Sequence, residues 1–212
     1  MKVIDLTHTI SPHMPVYPGT EPPVITAACS LEKDGFVERR ITLYSHTGTH
    51  MDAPAHILQG AKTLDALPVS HFTGRACALA LTGLESPAIG VGELEPYAEL
   101  MDRVDFVLLH TGWGRFWGSG RYFEGYPVLT EEAARYLCGR SLKGVGVDAI
   151  SVDPTPSEKL PVHRILLERD IVVVENLANL EALPEGVFRF ACFPLKLQDA
   201  DGSPVRAVAF VE

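Results

Sequence analysis

Positive charge is scarce in this chain. Eighteen lysines and arginines stand against 27 aspartates and glutamates over 212 residues, a formal charge of −9. Nucleic acid and anionic membrane both call for clustered Lys and Arg, so neither is an expected partner. Long apolar runs are missing too. None approaches the roughly 20 residues a membrane helix needs. The opening MKVIDLTHTISPHMPVYPG has no apolar signal core, because polar residues and prolines interrupt it. Cysteine is sparse and scattered, at Cys29, Cys77, Cys138 and Cys192, with no C-x-x-C pair. That spread argues against a disulfide framework or a zinc knuckle and reads as reduced, small hydrophobes. The cytoplasm is the expected compartment.

The hydrophobic fraction is 46% and the charged fraction 21%, which supports a real core. No break in composition divides the chain, so residues 1–212 are expected to form one domain. MKVIDLTHTI reads as a short strand, and SPHMPVYPGTEPP, with its prolines, as an extended loop. FVERRITLYS fits a strand leading into the segment that follows. RACALALTGL, VDFVLLHTG, GVGVDAI and DIVVVEN are apolar runs that suit buried strands. FRFACFPLKL and SPVRAVAFVE read as two strands joined by turn residues Asp199 to Pro204. GELEPYAELM is expected to be a helix. TEEAARYLCGR is another, capped by Thr130, acidic in its first turn and stopped at Gly139. The pattern predicts a mixed α/β fold, with a barrel-like β core and a few covering helices.

Against this background, residues 46–56 stand out. HTGTHMDAPAH packs three histidines and an aspartate into eleven positions. His46 and His50 have i, i+4 spacing, but Gly48, Thr47, Thr49 and Pro54 disfavour a helix. In an extended chain His46, His50, Asp52 and His56 share one parity and one side. Ten residue intervals at about 3.3 Å would spread them over roughly 33 Å, too far for one site. The stretch must therefore bend, and Gly48 and Pro54 are where it can. A bend at Gly48 brings His46 back beside His50 and Asp52, a set that suits borderline-soft divalent ions. His56, past the second bend, either adds a ligand or stands by as a proton carrier. The alternative is a polar surface loop whose histidines face solvent. Further ligands are sought where polar residues leave buried strands: Glu175 ends DIVVVEN, and VHRIL offers His163. Each also has an ordinary reading, Glu175 as an exposed carboxylate and His163 as a helix-face or loop histidine.

HTGTHMDAPAH resembles the signature of the cyclase-type metal-dependent hydrolases, a family that includes bacterial kynurenine formamidase. MPVYPGTEP, GVGVDAISVDP, the pair His163 and Glu175, and FPLKLQDADGSPVRAV extend the resemblance along nearly the whole chain. It implies a swivelling β/β/α-type fold, homodimers or larger assemblies, and two divalent metal ions, normally zinc, with manganese the other candidate. It implies that His46, His50, Asp52 and Glu175 hold one ion, and that Asp52, Glu175 and His163 hold the second. His56 matches the family's general acid/base. The implied reaction is hydrolysis of a small aromatic amide, N-formyl-L-kynurenine in the arylformamidases.

The chain departs from the formamidase pattern in three places. Tyr17 and Thr20 in VYPGT stand where those enzymes usually carry a tryptophan and an aspartate. Tyr17 thus takes the place of a residue that contacts the aromatic substrate. Arg164 stands where they often have a second histidine. HTGWGRFWGSGRYFEGYP, residues 110–127, is foreign to their pattern, and it reads equally as a pocket wall or lid and as a subunit-interface loop. Opening of an isatin-like ring amide is a second candidate reaction, and metal or ligand binding without catalysis a third. Asp148 and Asp153 read either as groups that orient metal ligands or as turn and capping residues. His8, His13 and His71 lack ligand spacing.

Overall fold

The computed structural model describes residues 1–211. Twelve strands occur among them: β1 (Lys2–Asp5), β2 (Val24–Cys29), β3 (Glu38–Thr42), β4 (His50–Asp52), β5 (Thr73–Ala80), β6 (Ala88–Ile89), β7 (Phe106–His110), β8 (Val128–Leu129), β9 (Gly144–Val147), β10 (Val172–Glu175), β11 (Phe188–Pro194) and β12 (Gly202–Val211). Helices α1 (Leu31–Asp34), α2 (Val91–Leu94) and α3 (Ala98–Met101) are single turns, while α4 (Glu131–Cys138) and α5 (Pro161–Leu167) are longer.

The main sheet closes on itself. Its order runs β12-β11-β5-β7-β9-β10-β4, and β4 pairs back onto β12, so seven strands form a barrel with β1 added outside the ring on β12. β5, β7, β9 and β10 are parallel neighbours, and the other contacts in the ring are antiparallel. Both faces of the parallel strands are apolar, as expected where each face is covered. Phe106, Leu108, Val172 and Val174 point into the barrel with Met51 and Phe190. Val107, Leu109, Val145, Val147 and Val173 point outward against Ala133, Ala134 and Leu137 of α4 and Val162, Leu166 and Leu167 of α5. The mixed α/β fold with a barrel-like core and few helices is as expected.

Three local expectations change. GELEPYAELM is not one helix: α2 ends at Leu94, a 3₁₀ turn covers Glu95–Tyr97, and α3 follows. Pro96 has no backbone N–H to give to the carbonyl four residues back, so the α ladder is interrupted there although Glu95 before it keeps α geometry, with φ −55° and ψ −39°. FVERRITLYS supplies β3, but β3 pairs only with β2 in a separate hairpin, and the chain from Leu43 to Thr49 is irregular. The turn before the last strand is shorter than expected, because β12 already starts at Gly202. The final residue of SPVRAVAFVE, Glu212, lies outside the described residues. α4 forms as read: the Thr130 hydroxyl accepts from Ala133 N–H at 3.1 Å and the helix stops before Gly139. All four cysteines are free; Cys77 and Cys192 are buried, Cys29 and Cys138 half-buried. Among the described residues no helix is long and apolar enough to cross a membrane.

Candidate active site and metal centre

β4, the shortest strand of the barrel, carries the centre of the site. His50 and Asp52 alternate with Met51, so Met51 fills the barrel while the two polar groups share the other face. β10 runs antiparallel alongside and sets Glu175 directly opposite His50. β12 flanks the other edge, with Gly202 opposite Asp52. A Cβ at Gly202 would lie 2.5 Å from His46 Cε1, so only glycine leaves room for that ring. The chain reverses at Gly48, whose φ of +66° suits glycine, and this returns His46 to the β4 face. Pro54 opens the 3₁₀ turn Pro54–His56, which brings His56 round to the same cavity. Both bends fall where the sequence required them.

The side chains converge. His46 Nδ1 is 2.6 Å from Asp52 Oδ1, and its Nε2 is 3.0 Å from Asp201 Oδ2. His50 Nε2 lies 3.3 Å from Asp52 Oδ1 and 3.5 Å from Glu175 Oε2. His163 Nε2 lies 3.4 Å from Asp52 Oδ2 and 3.2 Å from Glu175 Oε1. The His56 ring is 4.0 Å from that of His46, centroid to centroid, and 6.1 Å from that of His163. His50, Asp52, His163 and Glu175 are buried, while His46 and His56 are half-buried. These groups line a cavity of about 420 Å³ together with Tyr17, Tyr44, Ile150 and Leu160.

The groups behind the histidines decide what the cluster can hold. His50 Nδ1–H donates to the Gly48 carbonyl at 2.8 Å, and His163 Nδ1–H donates to Asp153 Oδ2 at 2.7 Å. With their only proton on Nδ1, rings so held turn the Nε2 lone pairs toward Asp52 and Glu175. Asp52 Oδ2 is buried without a hydrogen-bond donor. Acceptor faces acceptor, and such an arrangement is stable only with positive charge between. The electrostatics agree. Burial opposes a charge on His46, yet Asp52 and Asp201 outweigh it and hold its pKa up to about 9. Burial likewise opposes a charge on His163, and Asp153, Asp52 and Glu175 outweigh it, raising its pKa. Burial pushes the Asp52 carboxyl up, but His50 and His46 more than reverse that and hold it well below the usual range. The site draws cations, as protons or as metal. Two overlapping groups, His46–Asp52–His56 and His50–Asp52–Glu175, each bring ligand atoms within 4.8 Å of one another. That nitrogen and oxygen set, with a donor-less buried carboxylate oxygen, fits divalent metal. His56 differs from His46 and His163, since burial lowers its pKa and favours the neutral ring.

Residues 4–154 match the family model described as Cyclase, a span that contains HTGTHMDAPAH. The chain belongs to the cyclase family. This member is 34% identical over 207 residues to a kynurenine formamidase of Bacillus cereus, covering 97% of this chain and 95% of that one. Its fold is similar to isatin hydrolase A from Ralstonia solanacearum, with a TM-score of 0.88 and 26% identity over 100% of this chain and 92% of the other. A predicted metal-dependent hydrolase from Bacillus stearothermophilus is also similar, with a TM-score of 0.82 and 30% identity over 98% and 97% of the two chains.

The residues read from the sequence of this cyclase-family chain as metal, catalytic or substrate groups, His46, His50, Asp52, His56, His163, Glu175 and Tyr17, all line this cavity. Asp153 both orients His163 and caps α5, accepting from Val162 N–H at 3.0 Å and His163 N–H at 2.9 Å. Asp201 was missed. It sits in a turn, DADG, that looks like ordinary loop punctuation, and only barrel closure brings it to His46. The 110–127 segment supplies no residue to the cavity wall. It packs behind the site: the Tyr126 hydroxyl donates to the Asp153 carbonyl at 2.8 Å, and Trp117 stacks on His8 at 3.9 Å. Its aromatics are a buttress here because Trp113, Trp117 and Tyr122 pack into the outer hydrophobic core.

Proposed function

We propose that this chain is an arylformamidase, hydrolysing N-formyl-L-kynurenine to kynurenine and formate. It is a metal-dependent amide hydrolase, the class shared by its kynurenine formamidase relatives and isatin hydrolase neighbours; the formamide is the narrower reading. His46, His50, Asp52 and Glu175 would hold one divalent ion, and Asp52, Glu175 and His163 a second, with zinc the leading candidate and manganese the other. Bound ions of this kind lower the pKa of water and polarise a carbonyl oxygen. The observation that carries the reading is the convergence of bare imidazole nitrogens and buried carboxylates on a space backed by donors that point away from it.

The chain's own groups supply the rest. His56 is neutral near pH 7, so its imidazole can take a proton from the attacking water as the carbon–oxygen bond forms. The same proton then passes to the departing nitrogen as the carbon–nitrogen bond breaks, giving the free amine and formic acid, which loses its proton to become formate. Tyr17 stacks on the aromatic ring, and Ile150 and Leu160 offer it an apolar wall.

A second reading keeps the site and changes the substrate to a cyclic amide such as isatin. Two observations favour it: the 0.88 TM-score over the whole chain, and tyrosine rather than tryptophan at position 17. Formate release from formylkynurenine, measured beside ring opening of isatin on zinc- and manganese-loaded protein, separates the two. A kcat/KM for formylkynurenine above that for isatin supports the first reading, and the reverse order overturns it. We further propose a single domain over residues 1–212, a homodimer or larger homo-oligomer, no nucleic-acid or membrane partner, and a cytoplasmic location.

A further inference from the structure

Asn176 follows Glu175 directly and is almost completely buried. Its φ is +57°, in the left-handed region where asparagine is enriched several-fold among residues with side chains. Every polar group it owns is engaged. Its N–H donates to the Ala149 carbonyl at 3.0 Å, and its carbonyl accepts from the Thr49 hydroxyl at 2.6 Å. Its Oδ1 accepts from the Tyr122 hydroxyl at 2.7 Å. Its Nδ2 donates to the Gly48 carbonyl at 2.9 Å, the same oxygen that receives His50 Nδ1–H at 2.8 Å.

We infer that Asn176, oriented by Tyr122, is a positioning residue that holds the Gly48 carbonyl so that His50 presents its Nε2 to the metal centre. The amide has one workable orientation. Turned over, its Oδ1 would face the Gly48 carbonyl and two acceptors would repel. Gly48 is also the hinge of the HTGTH turn, so its carbonyl is free to swing unless something anchors it. With that oxygen held, His50 keeps its proton on Nδ1 and its lone pair on Nε2, aimed at Asp52 and Glu175. One side chain thus ties the histidine turn to the strand end that supplies Glu175. Tyr122, wholly buried in the aromatic segment, gives that segment a function: its hydroxyl fixes which end of the amide faces the turn.

This inference rests on His50 being a metal ligand, and the experiment separates the two claims. Zinc affinity is measured by chelator competition on metal-stripped protein, together with the thermal midpoint of the same metal-stripped samples. Asn176→Gly removes the amide while suiting the backbone angle, and Tyr122→Phe removes only the hydroxyl. The expected results are zinc affinity weakened about 10- to 100-fold in Asn176→Gly, a smaller loss in Tyr122→Phe, and a double variant no weaker than Asn176→Gly alone. A merely structural role would lower the metal-stripped midpoint and leave zinc affinity within about twofold, in the range of ordinary variation between measurements; that result overturns the inference. Additive losses in the double variant also overturn it, because Tyr122 would then not act through Asn176. If Asn176→Gly fails to fold, Tyr122→Phe alone decides, with unchanged zinc affinity counting against the inference. His50→Ala is the control. Undiminished zinc binding there rejects the ligand assignment itself, whereas loss in His50→Ala with retention in Asn176→Gly rejects only the positioning role.

Discussion

Asp148 and Asp52 are both buried carboxylates, each at the end of a short barrel strand, yet they keep opposite company. Asp148, just beyond β9, is surrounded by donors: Thr111 N–H at 3.0 Å, the Thr111 hydroxyl, and Gly112 N–H at 2.8 Å. Asp52, at the end of β4, is surrounded by histidines and another carboxylate, with one oxygen that no donor reaches. Their acidities diverge accordingly. Burial outweighs the donors at Asp148 and raises its pKa, whereas at Asp52 burial is overcome by His50 and His46, which lower it. A buried acid fed by backbone donors is a staple for a loop. A buried acid facing other acceptors is half of a cation site, and the neighbours, rather than the burial, tell the two apart.

Exchanging the carboxylate for an amide at each position breaks the comparison most sharply. Asp52→Asn removes the negative charge the site is built around and is expected to abolish metal retention and reduce turnover to background, as read by elemental analysis and steady-state rates. Asp148→Asn is expected to leave metal content unchanged. Equal metal loss in both variants would show that Asp148 is no simple staple. Next in size is His56→Ala, where kcat should fall roughly 10²- to 10⁴-fold with metal content intact. Metal loss in that variant would make His56 a ligand. Asp148→Ala leaves the buried Thr111 N–H and hydroxyl and the half-buried Gly112 N–H without an acceptor and should cost about 3 kcal/mol in a denaturant melt, with zinc affinity of the folded protein unaltered.

The smallest effect concerns His8, whose ring stacks on Trp117 behind the site and whose pKa burial lowers from 6.5 to about 4. A depressed folded-state pKa means the folded chain binds fewer protons than the unfolded one. The resulting stabilisation is present above pH 6.5 and is lost as pH falls toward about 4. His8→Phe keeps the stacking and removes the titration, so its denaturation midpoint should vary less over that window than that of the parent. An identical acid slope in both would assign the acid lability to other groups.

Much of this was legible beforehand, for identifiable reasons. Parity puts His50 and Asp52 on one face of β4, and the bends that Gly48 and Pro54 announce bring His46 and His56 back to it, so the local half of the site can be read from eleven residues. β7, β9 and β10 are short apolar runs that have no other use than a covered sheet. The remote half is harder. His163 and Glu175 look ordinary alone, and it is the β4–β10 register that sets Glu175 against His50. Asp201 and Asn176 were not legible as site residues, since an aspartate in a turn and an asparagine after a strand are commonplace. Their roles exist only once β12 and β10 clasp β4. β2 was hidden because VITAAC follows a proline-rich loop and its strand is almost wholly exposed, without the buried alternation that marks a core strand. Composition favours aromatics at a pocket or interface and says nothing of which side they face, so residues 110–127 read equally as a pocket wall or lid and as an interface loop, whereas Trp113, Trp117 and Tyr122 pack against the outer core.

The central claim is that convergent acceptors around Asp52 create a site for two divalent ions. Calorimetric titration of zinc into metal-stripped protein tests it most directly. The account predicts a stoichiometry of two ions per chain with proton release, since His46 must give up the proton that Asp52 and Asp201 hold on it, and no tight binding in Asp52→Asn. Zinc binding of equal strength and stoichiometry in the parent and Asp52→Asn, or no uptake in the parent, would contradict it.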